Sequence, residues 1–328
     1  MTVRRRSTLL ALCALAVLAA PVLAQTKKKT PPPAPPLAPS AAPNADNGKA
    51  DLAYGAFQRG MFLTARAEAS KRAQQNDPAA MTLLGELYAQ GLGVARDDSK
   101  ATQWYKQAAA LGDRDATFAL AMVNLEGRAG PRDADGAARL LAAAAKLGHA
   151  AAAYDLGLLY LQGQQFPQDF TRAAQLFRQA ADAGNADAQY ALATMYKEGR
   201  GVPKDINQAA YLMGLASIAG NVDAMVEYAI AQFNGSGVAK NEPAAAKLLV
   251  IAARRGSAIA QDRLAHVLMA GRGMPADATE ALKWHIIAKV SGDGDPDLDA
   301  FAAQQTHQVR DAAEKAAKTW ISTLQPRS

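Results

Sequence analysis

Four histidines (His149, His266, His285 and His307) and the acidic run Asp293-Gly294-Asp295-Pro296-Asp297-Leu298-Asp299 are the residues of this sequence whose types could do chemistry. Alternating carboxylates at that spacing converge on one hard cation in a calcium loop. Here Leu298 occupies the turn position that wants glycine, and Gln304 stands where a bidentate glutamate belongs. A solvated acidic turn that N-caps the final helix accounts for the run equally well. His266 and His285 fall on the two expected helices of one repeat, where they could approach each other. Zinc needs three or four convergent ligands, so ordinary packing is the better account of that pair. The sequence holds no Ser-x-x-Lys, His-Glu-x-x-His, Gly-x-Ser-x-Gly or Gly-x-x-x-x-Gly-Lys, the spacings that set up nucleophilic, zinc-hydrolytic or phosphate chemistry. No catalytic residue, cofactor ligand or metal ligand is therefore assigned.

The elements that would position any site come next. A chain of 328 residues exceeds one typical core, so several domains or a repetitive architecture is expected. Half the residues are hydrophobic and a fifth are charged, which excludes a chain disordered throughout. The formal charge of +6 sits at the N-terminus, in Arg4, Arg5, Arg6, Lys27, Lys28 and Lys29. Residues 31–328 carry 30 basic residues against 30 acidic ones, so no basic stripe for nucleic acid is expected on the folded part.

Arg4 to Arg6, the short apolar run from Thr8 to Ala20, and small residues at Val22 and Ala24 form the signature of a secretory leader, residues 1–24, cut after Ala24. The run is well short of the ~20 apolar residues that span a bilayer. Cys13, the single cysteine, lies inside it, so the exported chain is expected to hold itself together without disulfides. No later segment reaches transmembrane length. Residues 25–48, rich in proline and alanine, read as a disordered linker that forms an extended spacer. Its three lysines either touch an anionic surface or are simply solvated, and the second reading is preferred.

A period of 36 residues governs the rest. Gly112, Gly148, Gly184, Gly220, Gly256 and Gly292 keep it, as do Gly91, Gly127, Gly163, Gly199, Gly235 and Gly271. Three alanine columns, starting at Ala80, Ala101 and Ala108, run through all six units in the same register. Inside one unit Ala80, Leu83, Leu84, Leu87 and Tyr88 mark one face of a helix. Gly91 and Gly93 break it. Asp97, with Asp133, Asp169, Asp205, Asn241 and Asp277 at the same position, is the expected N-cap of a second helix that carries Ala101, Trp104, Tyr105, Ala108 and Ala109.

These columns resemble the Sel-one-like repeat family, a relative of the tetratricopeptide repeats. The family pattern reads off as Ala80, Leu84-Gly85, Leu87-Tyr88, Gly91-Leu92-Gly93-Val94, Asp97, Lys100-Ala101, Trp104-Tyr105, Ala108-Ala109 and Gly112, and Gly199-Arg200-Gly201-Val202-Pro203-Lys204-Asp205 matches as closely. The sequence departs at Ala129-Gly130, at Gln164-Gln165, and at Ala121, Ala193, Ala229 and Ala265 in place of Gly85; these swaps bear on local loop shape. The fold class is therefore all-α: a right-handed α-solenoid of tandem helix-loop-helix repeats with atypical capping helices. Residues 49–295 hold a partial N-terminal unit plus six repeats, and 296–328 the C-terminal capping helices, with Phe301, Val309, Ala313, Ala316 and Trp320 covering the last unit.

In solenoids of this type the first helix of each unit lines the concave face. Phe118, Met122 and Leu125 form a stripe there; Tyr154, Leu158 and Leu161 repeat it, as do Val226, Ile230 and Phe233, with Tyr190 in a more polar version. An elongated apolar groove suits a peptide or helix. The opposing reading is that tight winding buries this stripe between units. The resemblance implies a non-enzymatic adaptor or regulator in the bacterial envelope, periplasmic or secreted, that binds an unknown protein or peptide, with neither nucleic acid nor a cofactor. An envelope-glycan or peptidoglycan binder or hydrolase, and a purely structural spacer, are the alternatives.

Overall fold

The computed structural model describes residues 51–163 and 166–324. The expected leader, the linker up to residue 48 and the Gln164-Gln165 departure lie outside them. All sixteen elements among the described residues are helices. A short opening pair, α1 (Leu52–Gln58) and α2 (Phe62–Ala73), precedes six two-helix units. Their first helices are α3 (Pro78–Gln90), α5 (Arg114–Glu126), α7 (Ala150–Gln162), α9 (Ala186–Glu198), α11 (Val222–Asn234) and α13 (Ala258–Ala270). The second helices are α4 (Asp98–Ala110), α6 (Ala134–Lys146), α8 (Phe170–Asp182), α10 (Ile206–Ile218), α12 (Glu242–Arg254) and α14 (Ala278–Val290). Two further helices, α15 (Pro296–Gln304) and α16 (His307–Leu324), close the row.

Two periodic signals punctuate every unit. Each first helix ends at a glycine with φ between 66° and 75°, from Gly91 to Gly271, a conformation that glycine enters without steric penalty. Each second helix starts at an Asp or Asn side chain that accepts a backbone N–H, as Asp97 does from Lys100 at 2.9 Å. The first helices have a cap column of their own: Asp77, Asp113, His149, Asn185, Asn221 and Ser257.

From α1 to α14 every helix packs against the one before and the one after, and α16 then packs back onto α14, which is how a unit with an exposed apolar face becomes stable only in a row. The alanines of the Ala108 column, through Ala288, have no exposed surface, and neither do those from Ala116 to Ala260. Small side chains let the helix axes approach, while Leu84, Leu156, Leu192 and Leu264 fill the space beside them. Each such buried leucine contributes about 1.5–3 kcal/mol of apolar transfer. Gly85 sits within α3, so its replacement by alanine in later units concerns helix packing and not loop shape, a correction to the sequence reading.

The opening pair is fastened by Arg72, whose guanidinium reaches Asp51 at 2.6 Å and Asp77 at 2.5 Å. At the other end the capping surface differs from expectation. Ala313 and Ala317 of α16 are buried, Ala316 and Trp320 only partly so. Leu298 has no exposed surface at all and anchors α15. The Trp320 ring meets Trp284 of α14 edge-on at 5.3 Å.

Candidate protein-binding face on the first helices

The residues of the expected groove occupy three columns that recur along α5, α7, α9, α11 and α13. The first column reads Phe118, Tyr154, Tyr190, Val226 and Asp262. Met122, Leu158, Thr194, Ile230 and His266 form the second, and Leu125, Leu161, Lys197, Phe233 and Met269 the third. The structure divides the ten predicted groove residues. Met122, Leu125, Tyr154, Leu158, Leu161, Tyr190 and Ile230 are half-buried, with part of each side chain open to solvent. Phe118, Val226 and Phe233 are buried and are corrected to core positions. The next repeat reaches two of them. The Phe118 ring stacks on His149, the first-helix cap of the next unit, at 4.3 Å, and the Arg272 guanidinium lies 5.2 Å from the centre of the Phe233 ring.

Around Ile230 the face opens into a cleft of about 310 Å³ between α9, α10 and α11, lined also by Ile206, Ala210, Met213, Lys197 and Glu227. The last two form an ion pair across it, Lys197 Nζ to Glu227 Oε2 at 2.8 Å. Carboxylates crowd the same face. Asp187 accepts a hydrogen bond from Asn221 Nδ2 at 2.8 Å. Burial, then the charge of Asp187, pushes the Asp155 carboxyl up to about 6. Burial also raises the phenol of Tyr154, with Asp187 and Asp155 adding to it, and that of Tyr190, with Glu227 and Asp223 adding. Sequence reasoning missed this carboxylate cluster and the first-helix cap column. The second was open to detection, because Asp, Asn and Ser recur at 36-residue spacing directly after the closing glycines.

In the last unit the stripe turns polar. Asp262 and His266, one turn apart on α13, meet Asp295, which caps α15 by accepting the Asp297 N–H at 2.7 Å. One ligand atom from each of the three lies within 4.8 Å of the others, the one trio among the described residues placed to hold a metal ion. His266 Nε2 is 3.2 Å from Asp295 Oδ2, a bond that holds the Asp295 carboxyl below its usual range. Burial moves Asp262 the other way. His285 does not join His266. Its Nε2 lies 2.8 Å from Asp299, which Lys289 also binds at 2.9 Å. Asp295 and Asp299 of the acidic run thus take separate partners and do not converge on one point. The run caps α15, the first of the two closing helices, and not the final helix. His307 pairs with Asp311 at 2.7 Å on the outside of α16.

Among the described residues, no helix is long and apolar enough to cross a membrane. The Sel1 repeat family model matches six times in tandem, over residues 78–113, 114–149, 150–185, 186–221, 222–257 and 258–289. No curated protein sequence matches the chain significantly. Among solved structures it is similar to a Sel1 repeat protein from Oxalobacter formigenes, at 26% identity and a TM-score of 0.62, over 72% of this chain and 94% of that one. It is also similar to c5321, a protective antigen of uropathogenic Escherichia coli with the same class of repeat fold. That match has 25% identity and a TM-score of 0.55 over 81% of this chain and 68% of the other.

Proposed function

Because this chain belongs to the Sel1 repeat family, we propose that it is a non-enzymatic scaffold or regulator of the bacterial cell envelope that grips a protein or peptide along its first helices. The observation that carries this reading is the row of partly open apolar side chains, Met122, Leu158 and Ile230, at one repeat position in three of four successive units, with Thr194 in the fourth, leading into the Ile230 cleft. Rigid helices hold that row, so a partner can dock without ordering the surface first. A contiguous apolar patch rimmed by polar residues marks a contact surface. Periplasmic or secreted residence is part of the proposal and rests on Arg4–Arg6, the apolar run and Ala24.

Substituting Met122, Leu158 and Ile230 by aspartate in the tagged chain tests the surface. The helical circular dichroism spectrum is expected to persist while a co-purifying partner, identified by proximity labelling in the native compartment, is lost. Retention of the same captured set by the triple variant sinks the groove reading. Recovery of the full-length, uncut chain from the cytosolic fraction sinks the envelope reading.

A further inference from the structure

Charge is sorted between the two layers of helices. The six first helices carry nine acidic residues against three basic ones, whereas the six second helices carry ten basic against five acidic. The body is neutral as a whole, so this is segregation and not an excess of acid. Part of it has a local cause, since Asp115, Asp187 and Asp223 stand in first turns, where the helix dipole favours a negative charge. Asp155 and Glu227 do not; they sit mid-helix at equivalent positions two units apart. Asp155 has no hydrogen-bond or ion-pair partner among the described residues, and the charge that acts on it is that of another carboxylate, Asp187. Holding two acids together on a half-buried surface destabilises the chain by itself. Such an arrangement is explained when an incoming positive charge completes it. The intramolecular pair Lys197–Glu227 shows the geometry in which a lysine does this, lying on the wall of the Ile230 cleft.

We infer that the first-helix face takes a cationic partner segment, one in which lysines or arginines reach Asp155, Asp187, Asp223 and Glu227 while apolar side chains lie along Leu158 and Ile230. The inference rests on the groove reading proposed above and names the chemistry of its occupant. Tyr154 and Tyr190 stand among the same carboxylates, and aromatic rings attract a cation. Charge of one sign on a face steers a partner of the other sign and sets register and on-rate.

The test pans a random peptide library on the purified chain and then measures one recovered peptide by fluorescence anisotropy. Recovered sequences are expected to be enriched in Lys and Arg over the input, and binding to weaken as salt rises. The variant carrying Asp187→Lys, Asp223→Lys and Glu227→Lys is expected to bind that peptide at least about tenfold less tightly. Reversing exposed charges of the second helices, in Lys106→Glu, Arg139→Glu and Lys247→Glu, is expected to leave the affinity unchanged. Recovery of neutral or acidic peptides overturns the charge assignment but leaves the groove standing. So does equal weakening by the second-helix reversals. If the chain selects no peptide at all, the groove reading falls, and this inference with it.

Discussion

The Cα of Gly85 in α3 lies beneath the phenol ring of Tyr105 in α4, where an added methyl group would stand 2.6 Å from Tyr105 Cδ1. Gly157 and Phe177 repeat the relationship two units later, the added methyl again falling 2.6 Å from the ring. Where the glycine column holds Ala121, Ala193, Ala229 or Ala265, the opposing position holds Leu141, Met213, Leu249 or His285. Helix spacing is thus kept by exchanging volume across one contact: a large planar ring over glycine, a smaller side chain over alanine.

This complementarity predicts a compensated pair. Gly85→Ala alone is expected to lower stability by about 1–3 kcal/mol through overpacking, outweighing the ~1 kcal/mol by which alanine favours the helix. Adding Tyr105→Leu, which reproduces the Ala121–Leu141 and Ala229–Leu249 pairs, is expected to recover part of that loss. A double-mutant cycle by urea unfolding measures the coupling. Strictly additive losses would remove the volume-exchange account.

His149 caps α7 through Nδ1, which accepts the Ala152 N–H at 3.0 Å and must be unprotonated to do so. Burial lowers its pKa, with the nearby Asp115 opposing that shift. The folded state therefore resists protonation, so the cap's contribution is complete above the ordinary histidine range and declines as pH falls through the depressed value. His149→Asn, the residue of the Asn185 and Asn221 caps, is expected to raise Tm relative to wild type at mildly acidic pH. At pH 8 it should bring no gain, because the stack on Phe118 is lost. An equal Tm difference at both pH values in thermal scans counts against the cap.

Asp155 titrates with the opposite sign. Its carboxyl is raised to about 6, so between the ordinary aspartate range and pH 6 the folded chain holds the extra proton and stability falls as pH rises. Asp155→Asn is expected to raise Tm at pH 7.5 and to change it little below pH 4. Calorimetry across that window decides the matter, and a drop in Tm at pH 7.5 would contradict a carboxylate held without a partner.

Leu298 fastens the closing helices to the last repeat. Truncation by Leu298→Ala is expected to cost about 2–5 kcal/mol, the range for a fully buried leucine, whereas Leu63→Ala, at a position 66% exposed, stays within about 0.5 kcal/mol. Hydrogen exchange should report the loss first in α14 and α16. Uniform loss along the row would contradict nearest-neighbour coupling.

The sequence by itself determined the repeat. Its glycine and alanine columns, the Asp97 series and the 3.6-residue periodicity each encode a local event, a left-handed cap, a close crossing or an N-terminal cap, and such events need no knowledge of distant residues. These signals place all six units and the helices within them. Only the tertiary structure decided what the first-helix face presents. Phe118 and Val226 share a column with Tyr154 and Tyr190, yet the first pair is buried and the second partly open. That Asp155 stands beside Asp187, and that His266 meets Asp295 and not His285, likewise depends on how far each unit is displaced and turned on its neighbour. The offset is set by side-chain volumes summed over the whole interface, such as ring over glycine at Tyr105, and no single unit's pattern contains that sum.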